Sequence, residues 1–210
     1  TTWTTTQRCR CEELPVTISK GSVRIIGGQH RGRRLQFTDQ GGDLRPSSDR
    51  MRETLFNWLQ FELRERKVLD LFAGSGVLGA EALSRGAARA VLVEKKRERA
   101  ADLARQLRPL FDDRIDVTCA DALKWLAGGA PPAPFDLAFI DPPYDLGLVT
   151  PACEALERGG WLSRDALIYV ESRRHDPAPT VPVNWHLEKE KFGGDVRACL
   201  YRRYMNGSPA

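Results

Sequence analysis

"KVLDLFAGSGVLGAEALSRG", residues 67–86, decides the fold. Its opening "KVLDLFAG" reads as a short buried strand running into glycine, and "GVLGAEALSRG" (76–86) as a helix that ends at Gly86. Strand, glycine turn and helix in that order form the first half of a βαβ unit. Gly74, Gly76 and Gly79 let the backbone turn tightly and approach a ligand closely. Many α/β domains carry such a turn for packing alone, so its meaning depends on the rest of the chain.

Downstream, the alternation continues. "RAVLVE" (89–94), "RIDVTCAD" (114–121), "PFDLAFID" (134–141) and "ALIYVES" (166–172) read as strands. Between them, "KKRERAADLARQLRPL" (95–110), "ALKWLAGG" (122–129) and "LVTPACEALERGG" (148–160) read as helices. "WHLEKEKFGGDVRACLYRR" (185–203) reads as a closing hairpin around Gly193-Gly194. The expected class is α/β, a Rossmann-like doubly wound, mostly parallel sheet with the C-terminal hairpin as an antiparallel edge addition. Upstream, "SVRIIGGQHRGRRLQF" (22–37) predicts a small hairpin. Ser48 or Asp49 predicts a helix N-cap, and Leu55, Phe56, Leu59 and Leu63 recur at helical spacing, so a helix is expected over 49–65. The chain divides into a disordered leader (1–20), an N-terminal hairpin-and-helix appendage (21–66), the main domain (67–205) and a tail (206–210).

Composition narrows the function classes. The 210 residues are 41% hydrophobic, enough for a sizeable core, and no stretch approaches the ~20 apolar residues of a membrane span. The leader "TTWTTTQRCRCEE" has no apolar core of a secretory signal. Five scattered cysteines, Cys9, Cys11, Cys119, Cys153 and Cys199, make neither a disulfide framework nor a zinc site, so a reducing cytoplasm is expected and no metal. Net charge is +4, but from Lys20 to Lys67 eleven Lys/Arg stand against six Asp/Glu. Such clustering favours a polyanionic partner, against the alternative of an ordinary solvated face.

The acids at strand ends carry the chemistry. Glu94 ends the second strand of the main domain, where a carboxylate can take both hydroxyls of a ribose. Asp121 ends the third, where it can N-cap the next helix or accept from an adenine amino group. Both lie at the carboxyl edge of the inferred sheet, where open α/β sheets bind ligands. The fourth strand runs into Asp141-Pro142-Pro143-Tyr144, a tetrapeptide expected by chance in about one such chain in a thousand. Its stiff backbone aims the Asp141 carboxylate and the Pro142 carbonyl at one spot, and Tyr144 offers a face on which a planar base can stack. That arrangement suits an exocyclic amino group. Gly74, Gly76 and Gly79 also satisfy G-x-G-x-x-G, which keeps an NAD-dependent oxidoreductase open, though it leaves DPPY unexplained.

The glycine turn with DPPY resembles the class I S-adenosylmethionine-dependent methyltransferases of exocyclic amino nitrogens. With "VRIIGGQHRGRRL", "LRPSSDRMRETLFNWL" and "VLDLFAGSGVLGAEALSRGA", the chain over about 22–204 resembles the RsmD-type bacterial small-subunit (16S) ribosomal RNA guanine-N2 methyltransferases. The resemblance implies S-adenosyl-L-methionine as cofactor, with Asp70, Phe72, Ala73, Gly74, Ser75 and Gly76 around its methionine end. Glu94 would hold its ribose, and Asp121 with Ala122 its adenine. Asp141, Pro142, Pro143 and Tyr144 would be catalytic, holding the target guanine. Ribosomal RNA within the small subunit or an assembly intermediate is the implied partner of a monomer, with Arg24, Arg31, Arg33, Arg34, Arg45 and Arg50 as candidate RNA contacts. Phe192-Gly193-Gly194 is a further family-like feature without an assigned role. DPPY fits adenine-N6 equally well, so an adenine-N6 methyltransferase is the alternative.

Overall fold

The computed structural model describes residues 18–40, 49–129 and 131–204. Residues 1–17 of the expected leader, with Cys9 and Cys11, lie outside them, as do Arg45, Ser48 and the tail, whereas residues 18–20, expected in the disordered leader, open the first strand, because they pair with Thr38, Asp39 and Gln40. A two-stranded sheet, β1 (Ile18–Arg24) and β2 (Arg34–Gln40), precedes helix α1 (Asp49–Trp58). Then follow β3 (Lys67–Asp70), α2 (Val77–Ser84), β4 (Arg89–Glu94), α3 (Arg97–Phe111) and β5 (Ile115–Cys119). The chain continues through α4 (Ala122–Ala127), β6 (Phe135–Ile140), α5 (Val149–Arg158), β7 (Leu162–Arg173), β8 (Trp185–Gly193) and β9 (Val196–Arg203).

Strands β3 to β9 form one sheet in the order β5-β4-β3-β6-β7-β9-β8. The five strands from β5 to β7 are parallel, and β9 and β8 extend that edge antiparallel. The order reverses between β3 and β6, so a crevice opens at their carboxyl ends. Near-continuous burial on the central strands β3, β4, β6 and β7 follows from helices covering both faces. One core cluster packs α1, α2 and α3 with Val68, Leu92 and Tyr169, and the other packs α4 and α5 residues with Leu69, Ala138 and Val170.

Three elements differ from expectation for local reasons. The expected hairpin at 22–37 is displaced outward, because residues 25–33 form a connection held by α2. Ile26 and Gly27 N–H donate to the buried Glu81 carboxylate at 2.6 and 2.7 Å, which takes them out of any ladder. Gly28 has φ 75°, and a Cβ there would meet the Ser84 carbonyl at 1.9 Å. Helix α1 ends at Trp58, short of residue 65, although Leu59 and Leu63 are buried as their spacing implied. The chain must reverse there to enter β3, and it does so through turns in which Glu65 N–H donates to the Gly86 carbonyl. β7 is the third, since it begins at Leu162, well before Ala166.

The N-terminal elements share the first core cluster: Val23, Ile25, Leu35 and Leu55 pack in it with Ala80 and Leu83. Arg52, 1% exposed, donates to the Arg24 carbonyl at 2.8 Å and pairs with Asp49 at 2.5 Å. Its guanidinium also lies 3.8 Å from Glu81.

Candidate active site

At the carboxyl edge, β3 leaves the sheet through a turn that its glycines make possible. Gly76, at φ 71°, is the N-cap of α2, and a Cβ there would press on Leu103 at 2.7 Å. Gly79 faces Leu92 so closely that a Cβ would lie 2.6 Å from its Cδ1, so this glycine seats α2 on β4. Asp70 lies beneath the turn, 2% exposed, and its Oδ2 accepts from Gly79 N–H at 3.1 Å. It thereby caps one of the open amides at the start of α2. Burial pushes the Asp70 carboxyl up to about 7, the Gly79 N–H opposing and the nearby Glu94 charge adding to the rise.

A cavity of about 550 Å³ opens above the turn. Of the residues expected around a cofactor, Phe72, Ala73, Gly74, Ser75, Glu94, Asp121 and Ala122 line it. Asp70 and Gly76 stand behind the wall, holding the backbone that forms it. Glu94, 6% exposed, accepts from Gly74 N–H at 3.1 Å and from Lys96 N–H at 2.7 Å, which fixes its rotamer at the end of β4. Asp121 does cap α4: Lys124 N–H donates to its Oδ1 at 3.3 Å, while Oδ2 pairs with Lys95 Nζ at 3.0 Å. The Lys95 hydrogen bond holds the Asp121 carboxyl below its usual range. Apolar Leu71, Val93 and Leu123 supply flat walls between these polar groups.

Asp141, Pro142, Pro143 and Tyr144 line the same cavity from the far side of the switch point. Pro142 is buried and Asp141 half-buried, directly after the fully buried Ile140. Tyr144 starts a single 3-10 turn, and Arg173, at the end of β7, lies 5.9 Å from its ring centroid. Arg173 also pairs with Asp145 at 2.8 Å. Burial raises the Tyr144 hydroxyl above its ordinary pKa, and the Glu171 and Asp141 charges raise it further, so it stays protonated.

Glu171 is a buried acid behind Tyr144 that the sequence reading did not single out. It is 1% exposed and accepts from the Tyr169 hydroxyl at 2.6 Å, and Tyr144 also hydrogen-bonds to it. Its signal, an acid ending the strand "ALIYVES", was as visible as that of Glu94. Lys95, Lys96 and Arg99 line the cavity beside Glu94 and were likewise not singled out.

The candidate RNA-contacting arginines separate. Arg24 and Arg50 are exposed near the start of α1, Arg24 3.4 Å from Asp49. Arg31 and Arg33 are exposed in the connection that docks on Ser84, where Gln29 N–H donates to the Ser84 carbonyl at 2.8 Å. Ser84 ends α2, so this connection lies at the amino edge of the sheet, a helix length of about 12 Å from the glycine turn. Arg34 begins β2 beside it and donates to the Ser22 hydroxyl at 3.2 Å. Among the described residues there is no group of His, Cys, Asp and Glu that could hold a metal ion. No helix among them is long and apolar enough to cross a membrane.

Comparison with known proteins places this geometry among relatives. The family described as "Conserved hypothetical protein 95" matches residues 23–202. The ribosomal RNA small subunit methyltransferase D of Escherichia coli strain K12 is 46% identical over 193 residues, covering 92% of this chain and 96% of that protein. The protein of the same name from Haemophilus influenzae is 42% identical, covering 93% and 100%. A solved structure of Escherichia coli yhhF, described only provisionally as a methyltransferase, superposes with TM-score 0.79 at 44% identity, covering 89% of this chain and 100% of that one.

Proposed function

The chain belongs to the family of the ribosomal RNA small subunit methyltransferase D proteins, and from that premise we propose that it transfers a methyl group from S-adenosyl-L-methionine to ribosomal RNA of the small subunit, at the exocyclic N2 of a guanine. One observation carries the reading: the acceptors of the DPPY turn and the acids suited to an adenosine line a single cavity. Its residues fit that cofactor. Glu94 would take a ribose diol, Asp121 an adenine amino group, and Leu71, Val93 and Leu123 the flat base, since all of them line the cavity. Asp70 is a buried carboxyl whose ionisation a neighbouring cation would favour.

The cofactor supplies a methyl group already activated on a sulfonium, so the chain's task is to present the nitrogen. Tyr144 would stack on the target base, its hydroxyl held by Glu171. The Asp141 carboxylate and the Pro142 carbonyl would accept from the amino N–H bonds. Drawing on those bonds favours a pyramidal nitrogen and frees the lone pair from the ring. Asp141 would also accept the proton that the methylated amine releases, which needs no strong base. Orientation of two reactants can contribute up to about 7–11 kcal/mol. Bringing the base out of its stack costs on the order of a few kcal/mol, which phosphate contacts offset.

The test is incubation with labelled S-adenosylmethionine and small-subunit particles from a strain lacking the modification, followed by nucleoside identification. N2-methylguanosine is the expected product. N6-methyladenosine would move the reading to the alternative base, and absence of transfer would overturn it.

A further inference from the structure

Phe192 is 43% exposed at the end of β8, two residues before the turn into β9. Two guanidinium groups attend its ring: Arg174 at 5.5 Å from the centroid and Arg197 at 5.9 Å. Arg197 is the cross-strand partner of Phe192 and is held by Glu190 at 2.7 Å. Arg174 follows β7, and its N–H donates to the Asp195 carbonyl at 2.7 Å, which ties the hairpin turn to the carboxyl end of β7. Arg174 and Lys191 are exposed. The neighbouring residue Arg173 covers the Tyr144 ring and lines the cavity. The carboxyl edge therefore carries a discontinuous row of two aromatic–cationic contacts, Tyr144 with Arg173 at the cavity rim and Phe192 with Arg174 beyond it. From β7 to β8 it spans two strand spacings, about 10 Å.

An exposed ring flanked by guanidinium groups contributes little to folding here, because Phe192 belongs to neither core cluster. The same combination is what single-stranded nucleic acid binds: a π face for a base and fixed cations for its phosphates. We propose that Phe192, with Arg174 and Arg197, is a stacking subsite for an unpaired nucleotide of the RNA substrate that flanks the target base. Glu190 holds the Arg197 guanidinium, and the Asp195 carbonyl fixes the backbone of Arg174. The proposal rests on the reading of this chain as an RNA methyltransferase, and it adds a second base-binding position to the one at Tyr144.

Phe192→Ala and Phe192→Trp in the full chain test it, with three readouts. A single-stranded RNA oligonucleotide carrying the target guanine and a neighbouring fluorescent purine reports binding. Steady-state methylation separates KM from kcat, and S-adenosylmethionine affinity reports folding. Phe192→Ala should weaken oligonucleotide binding about five- to hundredfold and raise KM for RNA in parallel, with kcat and cofactor affinity unchanged. Phe192→Trp should retain binding and quench the neighbouring purine. Unchanged oligonucleotide affinity in Phe192→Ala overturns the proposal, as does a loss confined to assembled particles, which would assign the patch to a protein partner. If the wild type binds the oligonucleotide and Phe192→Ala loses it, yet no methyl transfer occurs, the subsite stands and the methyltransferase reading falls.

Discussion

Asp70 does not face the cavity, yet it couples the cavity to pH. Its carboxyl titrates near 7 in the folded chain against an ordinary value of 3.8. The folded state therefore holds a proton that the unfolded state has released, and stability attributable to this group falls as pH rises from about 4 through 7. A cation bound near the glycine turn favours the ionised form. Affinity for S-adenosylmethionine should thus rise between pH 6 and pH 8, with proton uptake by buffer on binding near pH 7. Asp70→Asn keeps an acceptor for Gly79 N–H and should flatten that pH profile in titration calorimetry. On the proposed reading, Asp141 would act on the other reactant. Asp141→Ala should abolish transfer while cofactor affinity stays within a few-fold, and retained turnover on undermethylated RNA would refute its role. Glu94, Asp121 and DPPY were legible because each sits where a strand runs out. Their partners were not, because Lys95 with Asp121 and Arg173 with Asp145 meet only across neighbouring strands.

Helix α2 is an element on which three parts of the chain depend. Asp70 caps its start, Gly79 seats it on β4, and Glu81 with Ser84 holds the N-terminal connection. Glu81 is fully buried among Arg52, Arg85 and the amides of Ile26 and Gly27. Removing it leaves Arg52 buried without that countercharge, so Glu81→Ala should cost about 3–5 kcal/mol in denaturant unfolding. Gly79→Ala should cost about 1–3 kcal/mol through overpacking against Leu92. Period and glycine punctuation made α2 readable to within two residues. They overextended α1, since Leu59 and Leu63 keep helical spacing while reaching the core from turns. They misplaced the strands of the first hairpin because the acid that claims its amides lies 55 residues away.

Across the whole molecule, the alternating pattern made the doubly wound sheet and its closing hairpin legible, and the order of the strands followed from pairing that no local pattern encodes. Cationic groups stand at both edges of the sheet: Arg31 and Arg33 at the amino edge, Arg173 and Arg174 at the carboxyl edge. A large RNA can span both. Changing Arg31, Arg33 and Arg34 together to Glu should lower RNA affinity and reduce the log–log salt slope by about 0.7–0.9 for each phosphate that is no longer neutralised. Because these residues lie away from the cavity, kcat at saturating RNA should be unaffected. An unchanged slope in a salt series would confine the footprint to the carboxyl edge.

The grip of Glu81 and Ser84 on residues 26–30 also bears on the order in which the chain becomes native during synthesis. Strands β1 and β2 are translated before α2 and α3, but a lone two-stranded hairpin is marginal in water. Their docking surface includes α2 and the α3 residue Gln106, which exchanges hydrogen bonds with Gln36 at 2.7 Å in both directions. The hairpin must therefore wait for some seventy further residues before it can settle. The hairpin is thus among the later parts to be completed, and its basic residues stay available to other polyanions until then.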